Sequence, residues 1–146
     1  MIAIVKHRGV RCSILALLAL IVGQGSNCGA PIDISAAIAL DGTYTLVVNS
    51  AQPGSLLPVG TMGPCVITSG LLATYLNQPV TNPQTPVING TQFKWSGTVA
   101  SPSDPLLTAL ITLDVTNQGG GVLTGTAFYT IFGLATPSST ITMTRQ

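Results

Sequence analysis

Side chains able to do acid–base, nucleophilic or metal chemistry are scarce in this chain. There is one histidine (His7), no glutamate, four aspartates (Asp33, Asp41, Asp104 and Asp114) and three cysteines (Cys12, Cys28 and Cys65). A Ser-His-Asp or Cys-His arrangement needs an imidazole beside its nucleophile. His7 lies in the basic stretch from Lys6 to Arg11, which reads as part of an export signal, so the mature domain carries none. A Ser-Lys dyad would need Lys94, but that residue alternates opposite Trp95 and belongs to a polar face. Paired carboxylates would serve general acid–base work, yet each aspartate has a simpler place. Asp41 opens a turn with Gly42, Asp104 lies in a proline-flanked loop, Asp114 is on a polar face and Asp33 is near the exposed start. Cys28 and Cys65, with 36 residues between them and no histidine, do not complete a tetrahedral metal site. No Asp-rich loop has calcium spacing. The expectation is a protein that is not an enzyme and holds no metal or cofactor.

Charge narrows the partners. Only 6% of the 146 residues are charged while 46% are hydrophobic, and three of the five cations fall within the first eleven residues. Beyond them stand Lys94 and Arg145 against four aspartates, a net charge of −2. One lysine and one arginine do not neutralise a run of phosphates, so nucleic acid is excluded as a partner. Disorder requires low hydrophobicity with high net charge. This chain has the reverse, and its length suits one domain.

The N-terminus has the order of an export signal. Lys6, His7, Arg8 and Arg11 precede an apolar run from Cys12 to Val22, which is followed by the small, polar Gly23-Gln-Gly-Ser-Asn27. Eleven apolar residues fall short of the roughly 20 needed to span a bilayer. Gly23 and Gly25 place cleavage before Ser26, giving a signal over residues 1–25 and a mature domain over 26–146. The new N-terminus is expected between Ser26 and Pro31, and the protein in the periplasm, on the cell surface or in the medium. In such an oxidising compartment Cys28 and Cys65 form an even pair, and a disulfide between them is the natural inference. The alternative is a bacterial lipoprotein with lipid on Cys28, although Gly25-Ser-Asn27 matches a lipobox poorly. Membrane contact is expected only in that case.

From Ile32 onward the pattern is one of strands and turns. Tyr44, Leu46 and Val48 alternate with polar neighbours, as do Phe93, Trp95, Gly97 and Val99, then Leu107, Ala109, Ile111, Leu113 and Val115 with Leu110 the exception, and finally Ile141 and Met143. One dry and one wet face is the pattern of antiparallel sheet. The runs lie near 32–40, 43–49, 64–69, 70–76, 86–88, 91–99, 106–116, 122–130 and 139–145. Asp41-Gly42, Asn89-Gly90 and Asn117-Gln-Gly-Gly-Gly121 are turn signals. Residues 77–86, with Pro79, Pro83 and Pro86, are expected to be a surface loop because proline donates no ladder hydrogen bond.

These runs predict an all-β fold, a single-domain antiparallel meander of about eight or nine strands. Closure into a small barrel is expected, with a β-sandwich as the alternative. The matching segments Trp95-Ser-Gly-Thr-Val-Ala100 and Leu123-Thr-Gly-Thr-Ala-Phe128 favour the barrel, since closure needs glycine kinks. Asp41-Gly-Thr-Tyr44 and Leu123-Thr-Gly-Thr126 superficially resemble the avidin family, an exported eight-stranded barrel, over about ten residues. That family lines its pocket with several tryptophans and this chain has only Trp95, so neither biotin binding nor membership carries over. The functional expectation is an exported, non-enzymatic barrel that binds a small apolar ligand or assists a periplasmic or cell-surface process. Tyr44, Phe93, Trp95 and Phe128 are its candidate interior residues. The alternative is an extracellular structural or surface-assembly subunit that self-associates through its sheet edges.

Overall fold

The computed structural model describes residues Asp33–Gln146. The expected export signal, its cleavage point and Cys28 lie outside them. A short helix α1 (Ser35–Ile38) leads into ten strands: β1 (Gly42–Ala51), β2 (Gly60–Thr68), β3 (Leu71–Tyr75), β4 (Gln78–Pro79), β5 (Val87–Asn89), β6 (Gln92–Ala100), β7 (Thr108–Gly119), β8 (Val122–Ile131), β9 (Leu134–Ala135) and β10 (Ser139–Arg145). Every pairing is antiparallel, and the sheet runs β4-β3-β2-β1-β10-β8-β7-β6-β5, with β9 beside β8. The expected meander is present. The first expected strand, 32–40, is instead α1, where Ile34-Ser-Ala-Ala-Ile-Ala39 lacks β alternation and the Asp33 carboxylate accepts the Ser35 N–H at 2.9 Å.

The barrel expectation needs correction at the seam, because no continuous ladder joins β4 to β5. The proline-rich segment between them laces the two edges instead. Val80 N–H donates to Ala73 O on β3, Thr81 and Thr98 exchange a pair of hydrogen bonds, and Gln84 N–H donates to Ser96 O. Those prolines forbid a regular strand but leave enough donors for single stitches. A methyl group on Gly97 would strike Val80 Cγ1, so this glycine admits the lacing segment to the inner face. Gly125 similarly lets the backbone of Asp114 and Val115 approach β8. The two glycines of the matched segments therefore make room for close approach, at different heights along the sheet.

Curling of the sheet buries its inner face, including Tyr44, Leu46, Trp95, Ile111, Leu113, Leu123, Ile141 and Met143. The two ends of this core are sealed differently. At the lower end the Asp41 carboxylate accepts the Ser69 and Gly70 N–H groups of the β2–β3 turn, at 2.7 and 2.8 Å. Gly70 O in turn accepts the Trp95 indole N–H at 2.8 Å, and the Tyr44 hydroxyl donates to Leu40 O at 2.7 Å. Arg145 donates to Asp41 O. Asp41-Gly42 is thus no hairpin turn; it fixes a turn elsewhere. The upper end is closed by Leu57, fully buried on the β1–β2 loop, and by Ser55 and Ser139, whose hydroxyls meet at 2.7 Å.

Two charge-assisted bonds from one carboxylate to a tertiary turn contribute about 2 to 3 kcal/mol when both are lost. Asp41→Ala is expected to lower the urea unfolding free energy by that amount. Asp114→Ala, which loses one exposed bond to Gln92 Nε2, should cost about 0.5 kcal/mol. Equal effects of the two substitutions would show that the lower seal is not held by Asp41.

Candidate functional site

The sequence-nominated residues divide between the two faces of the sheet. Tyr44, Phe93 and Trp95 point inward and are buried, and Phe93 stacks on Trp95 with ring centroids 5.4 Å apart. Trp95 uses its only donor on Gly70 O, so this group is core with its polar end satisfied. Phe128 is corrected to the outer face. Leu123, Ala127 and Tyr129 set the inward parity of β8, which leaves Phe128 opposite Thr112, half-buried outside. The four aromatics do not converge on one pocket.

Cys65 is a free, fully buried thiol; no disulfide is seen among the described residues, and Cys28, its expected partner, lies outside them. It faces inward on β2, paired with Tyr44 on one side and Tyr75 on the other. Above it the Tyr75 and Tyr129 rings meet edge to face, 6.1 Å apart. The Tyr75 hydroxyl is buried without a hydrogen-bond partner among the described residues. Burial, first of all, raises the phenols of Tyr44, Tyr75 and Tyr129 above their ordinary range and pushes the Cys65 thiol up to about 11. A protonated, enclosed thiol is inert as a nucleophile. Among the described residues no cluster of three or more histidine, cysteine or acidic side chains could hold a metal. None of the helices there is long and apolar enough to cross a membrane.

Accessible concave surface among the described residues includes a groove at the seam, near the upper end. This groove, of about 300 Å³, is lined by Pro79, Thr81, Val99, Ala100, Pro105 and Leu107, among others. It exists because the chain joins β6 only at Thr98 and runs from there toward Ser96, leaving the end of β6 beyond Thr98 and the β6–β7 loop uncovered. Its volume is at the lower bound for small-molecule clefts. The same end carries Val59 on the β1–β2 loop, Leu106 on the β6–β7 loop and Phe132 and Leu134 at the β8–β9 hairpin, exposed by 65, 92, 82 and 76%. Periodicity says nothing about such loop positions, so the sequence reading passed over them. Composition alone held a signal, in the apolar tetrad Ile131-Phe-Gly-Leu134.

No family model matches the chain, and no curated protein or solved structure shows detectable similarity to it.

The Cys65 thiol is expected to resist an aromatic disulfide reagent at pH 8 in the native protein and to react once the chain unfolds. Because the folded state holds this proton more tightly than the unfolded one, stability should be constant below about pH 9 and fall as pH rises toward 11, by about 2 to 3 kcal/mol from this group. A stability curve flat through that window would contradict the burial. Tyr75→Phe removes an unpartnered buried hydroxyl and should stabilise the fold by about 1 kcal/mol in chemical denaturation. Destabilisation would reveal a partner for that oxygen.

Proposed function

We propose that this chain is an exported, non-enzymatic β domain that binds apolar matter at its upper loop end and not inside the sheet. The observation that carries this reading is the coincidence of the apolar groove with four exposed apolar side chains at one end of the sheet. Supporting it, Trp95 and Phe93 are spent on packing, and the buried thiol and phenols are protonated at neutral pH. Export is supported by the basic and apolar pattern of the first 25 residues. The second reading, a surface-assembly subunit, draws on β5: an edge strand of three residues with Val87 exposed. Its short length and the adjacent Pro86 limit pairing with another chain.

A neutral, polarity-sensitive dye such as Nile red, competed by decanol, tests the reading. Binding is expected to be saturable. Ala100→Trp, which puts an indole into the groove, should weaken it by at least about tenfold, and the buried Trp95→Phe change should leave it within twofold. Binding lost on Trp95→Phe and retained on Ala100→Trp would move the site into the core and defeat the proposal. Concentration-dependent oligomers abolished by Val87→Lys, without dye binding, would favour the assembly subunit.

A further inference from the structure

Antiparallel register fixes which loops share an end. The β1–β2, β3–β4, β6–β7 and β8–β9 connections lie at the upper end; α1, the β2–β3, β5–β6 and β7–β8 turns and the C-terminus lie at the lower. Of the six exposed large apolar side chains among the described residues, Val59, Leu106, Phe132 and Leu134 are at the upper end. Charge is distributed the other way. Asp33, Asp41, Arg145 and the cross-strand neighbours Lys94 and Asp114 lie toward the lower end, and Asp104 is the one charged residue among the upper loops.

Exposure at these tips is built into the backbone. Leu106 N–H donates to Asp104 Oδ1 at 2.9 Å, Leu107 N–H to Asp104 O at 3.0 Å and Ser101 N–H to Leu107 O at 2.8 Å, which holds the β6–β7 loop with Leu106 outward. In the β8–β9 hairpin, Phe132 and Gly133 are the two central turn residues, with φ of 51° and 78°. Such a turn prefers Asn-Gly, and a bulky aromatic pays backbone strain to occupy it. Thr136 N–H to Tyr129 O at 2.7 Å and Tyr129 N–H to Thr136 Oγ1 at 3.1 Å brace that hairpin below its tip.

We propose that the upper loop end seats in the surface of an electrically neutral lipid bilayer, with Val59, Leu106, Phe132 and Leu134 as the inserting side chains. The proposal rests on the reading that this end binds apolar matter, and it requires no lipid on Cys28. Apolar side chains on separate protruding loops, with Ser, Thr, Pro and Gln between them, suit a fluid phase that closes around each tip. A second copy of the chain would need a flat self-complementary patch, and a strand-adding peptide would need a free edge, which β5 provides elsewhere. Neutral lipid follows from charge. Attraction to anionic headgroups depends on lysine and arginine near the surface, and the upper loops have neither.

The full-length chain, sedimented with phosphatidylcholine vesicles, tests this against its own variants, so any contribution of the N-terminal segment is common to all. Combined Leu106→Ser, Phe132→Ser and Leu134→Ser should lower the partition coefficient by at least about tenfold, while Ile38→Ser with Val87→Ser leaves it unchanged. Phe132→Asn supplies the residue that the turn prefers, so it should keep or raise the Tm and still weaken partitioning. Phosphatidylglycerol or added salt should change wild-type partitioning less than twofold. Wild-type partitioning by the triple variant would overturn the proposal, as would binding that needs anionic lipid and is released by salt. A wild-type dimer dispersed by the triple variant, without vesicle binding, would make the occupant a second copy. Groove-dependent dye binding without vesicle binding would end the lipid inference and leave the functional reading standing; failure of both would end both.

Discussion

The hydrogen bond from the Trp95 indole to Gly70 O spans the part of the sheet that strand pairing leaves open. An open ten-stranded sheet has two faces and must cover one of them. Here it does so by curling until β6 reaches the β2–β3 turn, and the indole sits where the two sides meet. The bond is effective only if that turn is fixed, and Asp41 fixes it by accepting both of its N–H groups. A methyl group on Gly70 would press on Ala37 and Ile38, so α1 packs against the same turn. Lacing by residues 80–84 then closes the seam alongside Ser96 and Thr98 with single hydrogen bonds where proline prevents a ladder. The interior is sealed by polar bonds below and apolar loop packing above, which gives the two ends different surfaces.

Much of this was legible because alternation is a direct consequence of the pleat. The inward sets on β1, β6, β7 and β10 follow from residue types alone. Parity failed at Phe128 because the inward positions beside it are Gly125 and Ala127, small residues demanded by the close β7 backbone and by core space. An aromatic between small neighbours looks like the core residue of its strand. On this sheet it covers Thr112 from outside. Turn chemistry was legible at Asn89-Gly90, where Gly90 has φ 59°, and misleading at Asp41-Gly42, where the carboxylate serves a turn 28 residues away.

The hairpin turns at Ser69-Gly70, Leu76-Asn77 and Phe132-Gly133 show the limit of local signals. All six residues have φ between 49° and 78°. Leucine and phenylalanine do not favour that region, so local propensity argues against them and register enforces them. The two bulky cases have different recompense. Leu76 packs against the core cluster, so burial offsets its strain. Phe132 projects into solvent, where no contact within the fold offsets anything.

That difference separates folding demands from interaction demands. Strain at Leu76 is explained by the molecule itself, and its removal would leave a gap in the packing. Strain at Phe132 has no internal explanation, and Leu106 and Val59 at the same end add exposed apolar area without contributing to the core. Scattered apolar residues on a surface are ordinary. Apolar tips on hydrogen-bonded loops, gathered at the end that carries one of the six described charges, are a segregation of properties along the molecule. The lower end spends its charged and polar groups on closing the fold. The upper end leaves its apolar groups unspent, and this asymmetry is the ground of the proposed contact with an apolar partner.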